Sequence, residues 1–361
     1  MKNRDYTDLS YKISNRFEQI NTLYITKMGE QLKEIGSLTA SDIRKLQQFI
    51  KMNQNINEIK TLLLQVSQMT LDELNNVFNK AGLDVYEDAS IFYTASGITQ
   101  IPFSDNLWMQ RHISSVAQLT ANTFKNLART TIIDKTYRDV IDLACDTAIS
   151  GVDNYNNVIR MAAIKAATNG LRVTYASDRT RRLDSAIRMN VLEGIRQVNN
   201  GVRQQAGKEF GADGVEISVH ALCAPDHVDY QGKQFTNKQF LKLQTETLKR
   251  PISTCNCKHI TFPIIMGVST PAYTKQELKQ YKDNSEKQVT INGKTMTKYQ
   301  ATQVQRNVET KIRYAKDQYT LAKSLEDEQL IKSTTDKIAR LKKIYTSVSN
   351  QAGLTPKWNR T

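Results

Sequence analysis

The chain has 361 residues, with 50 Lys and Arg against 36 Asp and Glu, a formal net charge of +14, and only four Cys and four His. At 39% hydrophobic and 24% charged it falls outside the disordered, collagenous and disulfide-scaffold classes, and its length allows about two domains. Met1-Lys2-Asn3-Arg4-Asp5 runs into a polar helical pattern, not an apolar signal segment, and the longest apolar run, Ile260 to Val268, is too short for a bilayer, so neither secretion nor membrane insertion is expected.

In chain order, residues 1–150 read as a helical region. Leu9, Ile13, Phe17, Ile20 and Tyr24 recur every three or four residues, the period of one helix face. Ser41 is a start signal for a second helix. Thr70 with Glu73 forms a capping-box pattern for a third, and Gly82 stands where that helix should stop. After Gly97, Pro102 and the polar cluster Ser104-Asp105-Asn106, Trp108 opens another helical region. No phosphate loop, dinucleotide fingerprint or nucleophile elbow occurs in this half, which suits an adaptor or assembly role.

Residues 151–274 are expected to form a second region. Leu183, Ile187, Val191, Ile195, Val198 and Val202 make the apolar stripe of a helix from Ser177 to Gly207, with Ser177 or Asp178 as its cap. Arg181, Arg188, Arg196 and Arg203 fall beside that stripe, where they could grip phosphates or acidic groups of a neighbouring subunit, or form intramolecular ion pairs. Val215 to Val219 alternates as a strand and Ile260 to Val268 is rich in β-branched residues, so residues 211–274 read as a small α+β module.

Residues 275–361 open with the hairpin turn Asn292-Gly293 and continue as helix from Thr297. Two apolar seams follow, Val304 to Ala322 and Ile331 to Val348, on either one helix of about 50 residues or a hairpin folded near Leu325 to Leu330. The hairpin is favoured because each seam then covers the other, and the pair is expected to project from the α+β module. Ten basic and four acidic residues lie in 160–210, and 18 and nine in 275–361, so these two segments carry the whole excess charge. Such asymmetry fits a polyanion partner, nucleic acid above all, with double-stranded DNA bound without regard to sequence; the alternative is a pair of solvated helical faces.

Six of the eight His and Cys cluster in 40 residues: His220, Cys223, His227, Cys255, Cys257 and His259. Cys255, Cys257 and His259 are spaced two apart along an extended segment and share a face, so with His220 and His227 they are candidate ligands of a structural Zn²⁺. The competing reading is a buried cluster that ties loops to the sheet by hydrogen bonds. A nucleophilic Cys with a His base oriented by Asp226 or Asp229, or a catalytic zinc with Glu216 or Glu246, is the enzymatic alternative, and no motif supports it.

The run His220 to His227 and Gln231-Gly232, then Cys257-Lys258-His259 and Phe262-Pro263, resembles the signature of the minor capsid protein 2 family of tailed phages of Gram-positive hosts, related to the Mu-type minor head proteins. The resemblance continues through Asn292-Gly293-Lys294, Tyr299 to Gln303 and Gln305 to Glu309, with weaker likeness at Tyr175-Ala176-Ser177 and Arg182 to Arg188. Ala224, Tyr230 and Lys258 depart from it, where Arg, Trp and Arg are expected. It implies a non-enzymatic virion protein, assembled in the host cytoplasm and associated with the portal or head interior. Portal and other head proteins would be its partners, and head assembly and DNA packaging or ejection its roles. The alternatives are a free-standing zinc-containing DNA-binding protein and a metal- or thiol-dependent nuclease. The fold expected overall is mainly α with a small α+β module.

Overall fold

The computed structural model describes residues 7–38, 44–149, 155–254 and 257–361. Ser41 and Cys255 lie outside the described residues. The chain is mainly α-helical with small antiparallel sheets, as its periodicity predicts.

Helices α1 (Thr7–Ser37) and α2 (Lys45–Asp88) come first, followed by the short α3 (Ser90–Ala95) and by α4 (Leu107–Thr130). The expected break at Gly82 does not occur, because α2 runs straight through Thr70 and Gly82. Gly82 serves close packing instead: a Cβ there would lie 2.7 Å from Ile113 Cδ1. Strand β1 (Thr131–Ile132), α5 (Asp134–Ile149), α6 (Tyr155–Asn169), β2 (Arg172–Thr174) and β3 (Thr180–Arg182) lead into α7 (Leu183–Glu209). Helix α7 therefore starts later than its apolar stripe suggests. Residues 172–182 form a β-hairpin, with Asp178 in the left-handed region (φ 57°) at its turn, so neither Ser177 nor Asp178 caps the helix, and Arg181 stands on a strand.

The remaining elements are β4 (Gly214–Ile217), β5 (Gln234–Thr236), α8 (Asn237–Lys242) with a π-helical turn at Leu243–Thr247, β6 (Thr261–Ile264), α9 (Lys275–Glu286), β7 (Gln288–Ile291), β8 (Lys294–Thr297), α10 (Lys298–Leu325) and α11 (Glu328–Ala352). The β7–β8 turn has Asn292 at φ 49° and Gly293 at φ 78°, the two left-handed residues that a tight hairpin requires. Capping boxes start α8 at Thr236/Gln239 and α9 at Thr274/Glu277. Thr297 and Gln300 exchange the same pair of bonds ahead of α10.

The elements form two compact units, each made of three chain segments. Unit 1 comprises 1–11, 69–123 and 188–301, and holds the β5-β4-β6 sheet and the β7–β8 hairpin. Its sheet packs Ile217 with Leu243 and Ile252, covered by Tyr230, Phe235, Phe240 and Leu248. Unit 2 comprises 12–68, 124–187 and 302–361, and holds the β1-β2-β3 sheet and most of α10 with all of α11. Phe17, Tyr24, Phe124 and Tyr137 are fully buried in it, paired edge to face as Phe17–Phe124 and Tyr24–Tyr137.

The C-terminal seams do fold back on each other. Glu326 turns the chain at φ 52°, and Asp327 caps α11 by accepting from Leu330 N at 2.8 Å. Val308, Ile312, Leu341 and Tyr345 pack between α10 and α11. The hairpin is built into unit 2. Within unit 2, α10 is tied to α1 by Asn21–Asp317, to α6 by Gln318–Thr168 and to α7 by Arg313–Asp184. Tyr345 also anchors the C-terminal tail, since its hydroxyl donates to the buried Glu309 Oε1 at 2.8 Å and accepts from Lys357 N at 2.7 Å. Tyr345→Phe should therefore cost about 1–3 kcal/mol, the range for leaving a buried acceptor unpaired. A fall in the urea midpoint at unchanged m-value checks it, and an unshifted midpoint would show that water replaces the hydroxyl there.

Candidate functional site

The His and Cys cluster is built by a short extension of the unit 1 sheet. Ile217 pairs with Thr261, and one step further Ser218 N donates to Ile260 O at 2.8 Å. The extension sets His220 beside His259, with ring centroids 4.3 Å apart. The intervening loop rejoins β4 through Gly232, whose N donates to Ile217 O at 2.8 Å. Gly232 has φ 69°, the left-handed conformation that favours glycine, and a Cβ there would also push on Leu278 Cδ2, 2.2 Å away. Its neighbour Gln231 is thereby buried, with Oε1 accepting from His220 N at 3.3 Å.

Two further loops complete the cluster. A turn on Ala224, whose carbonyl accepts from His227 N and Val228 N, carries His227 inward. The 250–254 segment presents Arg250 O, which accepts from His227 Nε2 at 2.7 Å. That segment is held from α7: Arg196 donates to Ser253 O, and Asn200 Nδ2 to Ser253 Oγ at 3.0 Å. Cys257 follows on a turn to Thr254 O.

His227, His259 and Cys223 are each 1% exposed, and Cys257 is half-buried. Cys257 Sγ lies 3.5 Å from His227 Nδ1 and 3.4 Å from His259 Nδ1. On the other side of the His259 ring, Nε2 is 3.5 Å from Cys223 Sγ and 3.4 Å from Gln231 Oε1. Ligand-type atoms therefore gather in two overlapping triads, His227/Cys257/His259 and His220/Cys223/His259. Burial, followed by the neighbouring His220 and His227, pulls His259 down to about 3, so its imidazole is neutral at physiological pH. Burial also lowers His220, and with Cys257 nearby it pushes the Cys223 thiol up to about 12.

A thiol at about 12 stays protonated at neutral pH, which suits a packed polar core better than a nucleophile at Cys223. Of the candidate orienting carboxylates, Asp226 approaches an imidazole, with Oδ2 3.7 Å from His227 Nε2, too long for a hydrogen bond. Asp226 makes a two-bond pair with Arg250 at 2.8 and 3.0 Å, and Asp229 pairs with Lys282. Glu216 accepts from Gln234 Nε2 and Ala272 N, while Glu246 stands exposed on the π turn.

The four arginines of the expected stripe do not share one open face. Arg181 is exposed on β3, Arg203 is buried with its guanidinium over the Phe262 ring, and Arg188 stacks on and donates to Tyr11. Arg196 is held by Glu193 and Ser253 O. Cys223 and Gln231 belong to the site, although residue spacing gave no reason to count either as a ligand or an orienting group. The Gln-Gly pair was the available signal for Gln231.

The profile of the family described as phage minor capsid protein 2 matches residues 1–346. The chain belongs to that family. It is thus a structural phage protein of the virion, a capsid component with other head proteins as its natural company. No curated protein and no solved structure matches the chain. Among the described residues, no helix is long and apolar enough to cross a membrane. The family match also embraces α1, α2 and α4, well beyond the region from about 150 to 355 in which the sequence motifs are recognisable.

Proposed function

We propose that this minor capsid protein sits in the phage head next to the portal and acts, without catalysis, in head assembly and in DNA packaging or ejection. The family match carries the capsid part of this reading. The surface of the α10–α11 hairpin supports the DNA part. Arg306, Lys311, Lys316 and Lys323 are exposed on α10, and Lys332, Arg340, Lys342 and Lys343 on α11. Burial and then the neighbouring charge of Lys342 pull the Lys316 ammonium down, which marks like charges held side by side. A phosphate backbone relieves that repulsion and releases counterions. The DNA-facing surface is accordingly the hairpin, since Arg188, Arg196 and Arg203 of α7 are occupied within the protein.

Two measurements test this. Cross-linking mass spectrometry on purified particles should place the cross-links of this chain on the portal, and cross-links distributed over the shell protein alone would overturn the placement. Changing Lys332, Arg340, Lys342 and Lys343 together to Gln should weaken binding to double-stranded DNA and flatten the plot of log affinity against log salt by up to about 3–4, near 0.9 for each phosphate no longer neutralised. An unchanged salt slope would assign that face to a protein neighbour.

A further inference from the structure

We propose that the His227/Cys257/His259 triad binds a divalent transition metal of the zinc class, through His227 Nδ1, His259 Nδ1 and the Cys257 thiolate. Proton positions carry the first part of the argument. His227 Nε2 faces a carbonyl, Arg250 O, at 2.7 Å, so that nitrogen bears the hydrogen and Nδ1 presents a bare lone pair. Gln231 Oε1 accepts from the backbone N–H of His220, which identifies it as the amide oxygen. The His259 Nε2 that faces the same oxygen at 3.4 Å is therefore a donor, and His259 Nδ1 is bare as well. Cys223 needs nothing from this ring, because its thiol donates to Ala224 O at 3.3 Å.

Two bare Nδ1 atoms thus aim at one sulfur, and a thiol has a single hydrogen. One buried lone pair would be left facing sulfur, an unfavourable arrangement that a cation among the three atoms removes. The separations fit such an ion. With a zinc–sulfur bond of about 2.3 Å and zinc–nitrogen bonds of about 2.0–2.1 Å, a tetrahedron has sulfur–nitrogen edges of about 3.5 Å. The structure has 3.5 Å and 3.4 Å.

The surroundings match what metal-bound imidazoles require. Each ring gives its other N–H to an oxygen, Arg250 O for His227 and Gln231 Oε1 for His259, which holds the tautomer and the ring plane. Arg250 O is in turn positioned by the Asp226–Arg250 pair, and the Cys257 loop by Arg196 and Asn200 of α7. The second triad is the poorer candidate. It would use His259 through Nε2, the nitrogen that faces Cys223 Sγ and is already committed to Gln231 Oε1.

Full-length protein purified without chelator should contain about one zinc per chain, and the Co²⁺-loaded form should show a thiolate-to-metal charge-transfer band with tetrahedral d–d intensity. Cys257→Ser and His227→Ala should each lose the metal, whereas Cys223→Ser and His220→Ala should keep it. Loss in the latter pair with retention in Cys257→Ser would overturn the assignment in favour of the other triad. Should the ligand variants fail to fold, the wild-type chain still decides. Zinc added to chelator-stripped protein should protect Cys257 from alkylation and raise the melting temperature. Absence of both the protection and the charge-transfer band would refute the site.

Discussion

Arg182→Met should destabilise unit 2 by about 3–5 kcal/mol, the range for stripping one partner from a buried ion pair. Arg182 is 5% exposed and reaches Asp184 at 3.2 Å and Asp317 on the other side, both buried as well. Arg313 also donates to Asp184, and Asn21 Nδ2 to Asp317 at 3.4 Å, so Asp317 is the group left most exposed to the loss. Burial already pushes the Asp317 carboxyl up to about 6, against the pull of Arg182 and Arg313. Without Arg182 it rises further. A carboxylate whose folded pKa lies above its unfolded value of 3.8 costs stability in full above the folded pKa, and that cost fades as the pH falls towards 3.8. The gap between wild type and Arg182→Met should accordingly narrow from pH 7 to pH 5 in urea titrations. A pH-independent gap would mean that Asp317 is not the uncompensated charge.

In unit 1, a large effect of a small substitution is expected at Gly194. A Cβ at this position of α7 would lie 2.3 Å from Phe78 Cζ on α2 and 2.8 Å from Thr120 Oγ1 on α4. Neither neighbour yields easily. Phe78 is fully buried, and Thr120 Oγ1 donates to Val116 O at 2.8 Å. Alanine recovers about 1 kcal/mol of helix propensity against an overpacking cost of about 1–3 kcal/mol. Valine adds two methyl groups with little propensity gain, and its net cost should approach about 3 kcal/mol. Pairing Gly194→Ala with Phe78→Leu should cost less than the sum of the single changes, because the smaller side chain vacates the clash. Strict additivity in that cycle would place the strain elsewhere.

Much of this architecture could be read from residue patterns because it rests on local chemistry. Asn292-Gly293 marks a hairpin since both residues tolerate positive φ, and the helical period that resumes at Thr297 marks the start of α10 at Lys298. The clustering of His220 to His259 was equally plain, because residues of that rarity seldom gather without cause. Long-range packing was hidden. Gly82 reads as a stop signal until Ile113 is seen against it, and Arg188 and Arg196 read as an open cationic stripe until Tyr11 and Ser253, 177 and 57 residues away, take them up. Arg182, adjacent to the arginine singled out by periodicity, proved the buried one, because the β2–β3 hairpin displaces the start of α7.

The division of each unit among three distant stretches of chain bears on how the protein is made. Residues 12–68 belong with 302–361, and Asn21 finds Asp317 across 296 positions. At a ribosomal rate of about 5–20 residues per second, the first helices wait roughly 15–60 s before the segment that completes their core is synthesised. During that interval the side of α1 that α10 closes, Asn21 against Asp317 and Gly29 against Leu321 and Ser324, has no permanent cover. Such long-range closure favours slow, largely post-translational folding. A frameshift or early stop anywhere before α10 would consequently leave unit 2 without its closing segment, so partial products should be cleared by proteolysis before they can compete for places in the growing particle.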